Sequence, residues 1–215
     1  MRTEKMRLDN IEKVYRATIR LFEKHNVMNT TLQMIANEAG VSTRSIVNYF
    51  KTRENLLLAV HQRYVDSALT ELDKHLATEK YKSLNGREQV LYITRHVLDF
   101  VPLYYVHIYA MREISIAVSA AGITDDKRFI NEAIDFVLKP AKIAMQKGFE
   151  DGSITLANGY NEDNLKMFIV VLRGVFEEYA EILKSKNEAA IKTVSNAIET
   201  LYTYLDAILR GQIKQ

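Results

Sequence analysis

The sequence predicts an all-α protein, and three observations carry that prediction. Only two prolines and eight glycines punctuate its 215 residues. No stretch keeps the apolar–polar alternation of a strand. Apolar residues recur instead at the three-and-four spacing of amphipathic helices, with capping residues and glycines at the ends of the runs.

Taken in order, Ile11, Val14, Tyr15, Thr18, Leu21 and Phe22 share one face of a first helix from Leu8 to His25. Thr30 with Gln33 forms a capping box that starts a second helix. On it Met34, Ile35 and Ala39 make an apolar stripe, and small Ala36 permits close approach of a neighbour. Gly40 stands where this helix must stop and tolerates a left-handed backbone. Val41 plugs the corner and Ser42 caps the next helix. So short a corner joins two helices that cross steeply, a helix-turn-helix. Thr52 caps a fourth helix with Glu54 in its first turn, and Leu56, Leu57 and Val60 line one side of it as far as Arg63.

From Tyr64 a helix runs to about Thr78, a polar stretch from Glu79 to Asn85 ends at Gly86, and Arg87 to Phe100 forms the next helix. Pro102 marks a boundary or kink. Leu103 to Ala121 is helical and unusually apolar, and Gly122 ends it. Thr124 caps a helix from Asp125 through Gln146 that Pro140 bends, and Gly148 to Gly159 is a loop. Asn161 caps a long helix carrying Leu165, Phe168, Ile169, Leu172, Val175, Phe176 and Tyr179. A last helix, about Glu188 to Leu209, carries Ile191, Val194, Ile198, Leu201, Tyr202, Leu205 and Ile208 and stops at Gly211.

With 47% hydrophobic and 26% charged residues the chain buries a real core. It contains no cysteine, which excludes disulfides, thiolate metal sites and cysteine nucleophiles and suits a reducing cytoplasm. No apolar run follows the first residues, and no stretch approaches ~18 uncharged apolar residues, so neither a secretory signal nor a membrane partner is expected. His96 and Asp99 stand three apart, but no second such pair recurs at ligand spacing. There is no glycine-rich phosphate loop and no nucleophile elbow. The expectation is a non-enzyme with no metal and no cofactor. Net charge is +2, yet residues 1–63 hold 11 Lys/Arg against 6 Asp/Glu while residues 64–215 hold 18 against 21. A basic head on a mildly acidic body is the asymmetry expected where one end meets phosphates.

The helix after the corner offers Thr43, Arg44, Ser45, Asn48 and Tyr49, hydrogen-bonding side chains with one long cation, and Lys51 and Arg53 flank it. Ile35-Ala36, Ala39-Gly40-Val41-Ser42, Tyr49-Phe50-Lys51 and Glu54-Asn55-Leu56-Leu57, at their fixed spacing, resemble the tetracycline-repressor (TetR) family of bacterial transcriptional regulators. The resemblance covers roughly Leu8 to Val60. It implies that Thr43, Arg44, Val47 and Asn48 face base edges of double-stranded DNA, where the Arg44 fork matches guanine O6 and N7. Thr31, Ser45, Tyr49, Lys51 and Arg53 are expected on phosphates, and Arg2, Lys5 and Arg7 could form an arm. Phe50 is expected in the core. Val47 departs from the family, whose members often carry an aromatic there.

The resemblance also implies a small-molecule effector pocket in the body and a homodimer on a palindromic operator. Ten of the twelve tyrosines lie in the body. Phe100, Tyr104, Tyr105, His107, Tyr109 and Met111 are the candidate pocket residues, and Tyr105 or Tyr109 is expected to offer a hydroxyl. Leu172, Phe176, Leu201, Tyr202 and Leu205 are the candidate dimer interface, on two helices with more apolar face than one layer needs. The expected organisation is a DNA-binding head over residues 1–51, a linking helix over 52–63 and an effector-binding and dimerisation body over 64–215. The expected function is a cytoplasmic, ligand-responsive repressor. The alternatives are a helical ligand-binding or scaffolding protein with a silent head, and an α-helical enzyme using the aromatic body.

Overall fold

The structure, a computed structural model, describes residues 2–122, 139–156, 159 and 161–212, and every regular element among them is helical. The helices are α1 (Arg2–His25), α2 (Leu32–Ala39), α3 (Thr43–Phe50), α4 (Arg53–Leu76), α5 (Glu79–Ser83), α6 (Gly86–Asp99), α7 (Val101–Ala120), α8 (residues 139–150), α9 (Glu162–Ser185) and α10 (Glu188–Leu209). They fall into two compact units. Met1–Asp66 with Val106–Phe129 make the first, and Ser67–Tyr105 with Ile130–Gln215 the second. Helices α4 and α7 contribute to both.

In the first unit α1 buries Val14, Ala17, Thr18, Leu21 and Phe22, so the face set by its spacing is the face that packs. Helices α2 and α3 both pack on α1 and on each other. The cap of α2 is Thr31, whose hydroxyl accepts from the Met34 amide at 3.2 Å, not Thr30. Thr30 is buried, and its hydroxyl donates to the Asn26 carbonyl at 2.6 Å. Its neighbour is thereby left to cap the helix. Thr52 caps α4 through the Asn55 amide at 3.1 Å. That helix continues unbroken through residues 63 and 64, where the sequence suggested a change from linker to body.

In the second unit Leu72, Val90, Leu91, Ile93, Val97, Ala144, Met145, Ile154 and Leu209 form one core. The polar stretch 79–83 is itself a short helix capped by Thr78. Helix α6 opens with a capping box of Asn85 and Glu88. Its first residue must be glycine, because a Cβ on Gly86 would stand 1.9 Å from the Gly148 nitrogen of α8. Gly148 is therefore helical and buried rather than the start of a loop. Pro102 sits in the first turn of α7, where a missing amide costs nothing, and Phe100 marks the join to α6. Asn161 caps α9 and Gly122 ends α7 with φ +72°, as expected. The cap at Thr124 and the helix from Asp125 lie outside the described residues as far as residue 138, and with them any bend that Pro140 produces.

Candidate nucleic-acid interface

Ile35, Ala36, Ala39 and Ile46 are buried where α2, α3 and α1 meet. Gly40 turns the corner at φ +65°, and its neighbour Val41 returns an amide to the Ala36 carbonyl at 3.0 Å. Ser42 then caps α3 by accepting from the Ser45 amide at 3.0 Å. With its back fixed, α3 turns Arg44, Val47 and Asn48 outward, one helical face at i, i+3 and i+4. Val47 is 40% exposed. Among the described residues neither the Arg44 guanidinium nor the Asn48 amide has a side-chain partner, so both are available to an external acceptor or donor.

The remaining candidates on this surface are half-engaged. Thr43 Oγ1 donates to Gln33 Oε1 at 3.0 Å, Ser45 Oγ lies 2.8 Å from Ser42 Oγ, and the Tyr49 hydroxyl accepts from Asn10 Nδ2 at 3.3 Å. Phe50 meets Tyr15 of α1 edge-on, with ring centres 5.8 Å apart, and is half-buried as a wedge against α1. Arg2, Lys5 and Arg7 lie in the first two turns of α1 rather than on an extended arm, and Arg7 pairs with Glu4 at 3.0 Å. Arg20 holds Glu38 at 2.8 Å, and this contact lowers the carboxyl's pKa and neutralises an acid at the end of α2.

Two residues behave in ways the basic flank did not suggest. Lys51 has φ +71° and ψ −56°, and the Thr52 amide donates across it to the Phe50 carbonyl at 2.9 Å. That is a γ-turn of the hand that strains any residue with a Cβ. It ends α3 abruptly and leaves the lysine exposed. Arg53 was expected on a phosphate. Its guanidinium instead donates to the Thr30 carbonyl at 3.1 Å and the Val27 carbonyl at 2.6 Å, which ties down the turn before α2.

The candidate pocket residues divide between the units. Phe100, Tyr104 and Tyr105 belong to the second, where Phe100 packs on the core and meets Tyr104 edge-on at 6.2 Å. His107, Tyr109 and Met111 belong to the first. His107 stacks on Tyr64 at 4.8 Å, and burial, with the nearby His61, pushes its pKa down to about 4. The Tyr109 hydroxyl donates to the Phe22 carbonyl of α1 rather than into open space. Sequence reasoning passed over His61, which is buried with its Nε2 lacking a hydrogen-bond partner among the described residues. The available signal was an imidazole directly after Val60, on the apolar side of α4.

The candidate dimer residues lean inward. Leu172 is only 4% exposed, and Phe176, Tyr202 and Leu205 pack against the core of their own unit. Leu201 is half-buried. The apolar residues that α9 and α10 leave outside are different ones. Met167 (63% exposed), Val170 (65%) and Val171 form a stripe with Gly174 on α9, and Tyr204 and Ile208 lie on α10. Small Gly174 has nothing within 4 Å of where a Cβ would stand, so a second helix could approach closely there.

Among the described residues no three His, Asp or Glu side chains gather as a metal site, and no helix is long and apolar enough to cross a membrane. Comparison with known proteins agrees with this geometry. An uncharacterised HTH-type transcriptional regulator of Bacillus subtilis strain 168, YerO, is 34% identical over 61 residues, which is 28% of this chain and 21% of that protein. The match therefore spans about a fifth of the relative's length. Three solved structures share the fold over nearly the whole chain. A TetR transcription regulator from Haloarcula marismortui aligns with TM-score 0.65 at 18% identity, covering 89% of this chain and 97% of that one. A Saccharomonospora viridis protein in complex with choline gives 0.67 at 15%, covering 94% and 97%. The transcriptional regulator FadR of Bacillus subtilis, in complex with stearoyl-CoA, gives 0.59 at 14%, covering 93% and 98%. Residues 14–60, which hold the corner and the exposed face of α3, match the model for bacterial regulatory proteins of the tetR family.

Proposed function

We propose that the chain is a sequence-specific DNA-binding transcriptional regulator, a repressor that acts as a two-fold dimer and is released by a small-molecule effector. The observation that carries the reading is the Arg44–Val47–Asn48 face, presented by a short helix whose opposite side is locked in a buried corner. A helix of this size fits the major groove. Arg44 offers two parallel donors to guanine, Asn48 a donor and an acceptor to adenine, and Val47 an apolar contact for a thymine methyl. Lys51, Thr31, Ser45 and Tyr49 edge that face and suit phosphate oxygens, which set register rather than sequence.

One head has too little surface for specific binding, so two are needed, with half-sites about 34 Å apart or a multiple of that spacing. The exposed stripe Met167, Val170, Val171 and Gly174, with Tyr204 and Ile208, supplies the apolar face a second copy would cover. Two proteins of this fold are known with choline and with stearoyl-CoA, which supports an effector in the helical body without naming this one. Within the first unit, His61, Tyr64 and His107 are the polar-tipped group best suited to meet it. The activity is binding, not catalysis, and its place of action is the cytoplasm.

Selection of duplexes from a random-sequence pool tests this reading. The expected result is a two-fold symmetric consensus bound by dimers, with one guanine per half-site lost from the consensus of Arg44→Ala. A protein that enriches no sequence, yet binds small molecules, would establish the silent-head alternative instead.

A further inference from the structure

The turn between α1 and α2 is held by side chains from far along the chain. Helix α1 ends at His25, and Asn26 takes a left-handed φ of +62°. The amides that follow point away from the helix. Glu113 Oε2 of α7 accepts from the Val27 amide at 2.7 Å and from the Met28 amide at 3.3 Å. Tyr109, one turn earlier on α7, donates its hydroxyl to the Phe22 carbonyl in the last turn of α1. Arg53 of α4 takes the Val27 and Thr30 carbonyls from another direction. The turn therefore has little freedom left. Val27 is wholly buried, as is most of the α7 face carrying Tyr109, Ala110, Ile114 and Val118. That spacing is the helix period, so this half of α7 packs as a helix of the first unit rather than passing by it.

We propose that Glu113 and Tyr109 are positioning residues for DNA reading. The turn they hold leads directly into the Thr31 cap of α2, and α2 carries the corner that aims α3. A carboxylate accepting two backbone amides makes short, charge-assisted bonds that fix a segment more tightly than neutral ones. Freeing the turn lets α2 and α3 tilt together. A tilt moves Arg44 off its base edge while leaving the charge that attracts phosphates in place. Sequence-specific binding then falls, and binding to arbitrary duplex does not. The proposal rests on the DNA-reading function proposed above.

The test uses the full chain, its selected duplex, an unrelated duplex of equal length, and the variants Glu113→Ala, Glu113→Gln and Tyr109→Phe. Glu113→Ala is expected to weaken the selected duplex about tenfold or more while changing the unrelated one less than about twofold. Glu113→Gln keeps an acceptor oxygen and should recover most of that loss. Tyr109→Phe should lie between them. Hydrogen exchange should show the Val27 and Met28 amides losing protection in Glu113→Ala at a temperature where thermal unfolding finds the variant folded. Two results overturn the proposal while leaving DNA reading intact: a folded Glu113→Ala that discriminates between the duplexes as the parent does, or an equal loss on both. If the parent itself does not discriminate, the proposed function fails first and this assignment falls with it.

Discussion

Replacing Lys51 by glycine should make the fold more stable and the regulator worse. At φ +71° and ψ −56° a residue with a Cβ is strained, at a cost of roughly 1–3 kcal/mol. Glycine adopts this geometry freely but is more disordered when unfolded, which returns about 0.5–1 kcal/mol. The balance favours glycine by roughly 1 kcal/mol, or about 2–4 °C in Tm for a chain of this size. Lys51→Ala is the proper reference, since it removes the ammonium and keeps the Cβ. The difference between the two variants isolates the backbone. The turn's own bonds, Lys51 amide to Val47 carbonyl at 2.8 Å and Thr52 amide to Phe50 carbonyl at 2.9 Å, are available to both. Urea unfolding at one fixed protein concentration measures the first half of the claim. Salt-dependent DNA titration measures the second: each variant should lose about one unit of slope in log K against log salt. A glycine variant no more stable than the alanine one would show that the turn holds no strain, and the argument for a retained lysine would go with it.

Arg44→Ala should cost about 1–3 kcal/mol on the selected duplex, confined to one base pair per half-site; an even loss over single-base variants would make Arg44 a phosphate contact. Val170→Asp should yield folded monomers in sedimentation, because Val170 is exposed on the proposed interface. Leu172→Asp, at a buried position, should instead unfold the second unit by placing an unpaired charge in it. Acid should destabilise the first unit through His107. Its folded pKa of about 4 lies below the ordinary 6.5, so stability is full above 6.5 and is lost as pH falls toward 4, on the order of 3 kcal/mol in all. His107→Phe should flatten the fall in Tm between about pH 7 and 5, ahead of most carboxylate titration; an unchanged slope would place the sensitivity elsewhere.

What the sequence showed plainly was local. Gly40, Ser42, Thr52, Asn161 and Gly122 each act where their own chemistry requires, because a cap or a left-handed turn is decided within a few residues. Faces were legible only where a helix has one. Helix α1 is apolar on one side, and its core was read correctly. Helix α9 is apolar on two sides, with Phe168, Leu172 and Phe176 toward its own unit and Met167, Val170 and Val171 outside. Periodicity reports both stripes and does not say which is covered by the same chain. Bulk was a poor guide, since the larger residues went inward and the exposed stripe is built of Met, Val and Gly.

The errors in the head share one cause, the unsatisfied main-chain groups at a helix end. A helix leaves the carbonyls of its last turn short of partners inside it, and the amides of the chain that then turns away need acceptors of their own. The sequence shows that α1 must stop near His25, and hence that such groups exist at Phe22, Val27 and Met28. It does not show what completes them: the Asn26 and Thr30 amides reach the Phe22 and Val27 carbonyls from nearby, but no local group fills the carbonyls' remaining lone pairs or accepts from the Val27 and Met28 amides. Arg53, Tyr109 and Glu113 do, from 26, 87 and 86 residues away. Read in place, Arg53 is one more cation of a basic flank and Tyr109 one more polar-tipped aromatic of a pocket. Thr30 illustrates the same competition over a short range. Its carbonyl is taken by Arg53 and its hydroxyl by Asn26, so the cap of α2 passes to Thr31. A charged or hydroxylated side chain beside a helix end therefore has two claims on it, ligand and backbone. Half-buried Arg53 meets the backbone's claim and exposed Lys51 reaches the Asn48 carbonyl at 3.4 Å, whereas exposed Arg44 meets no such claim among the described residues, which suits the contact with DNA proposed for it.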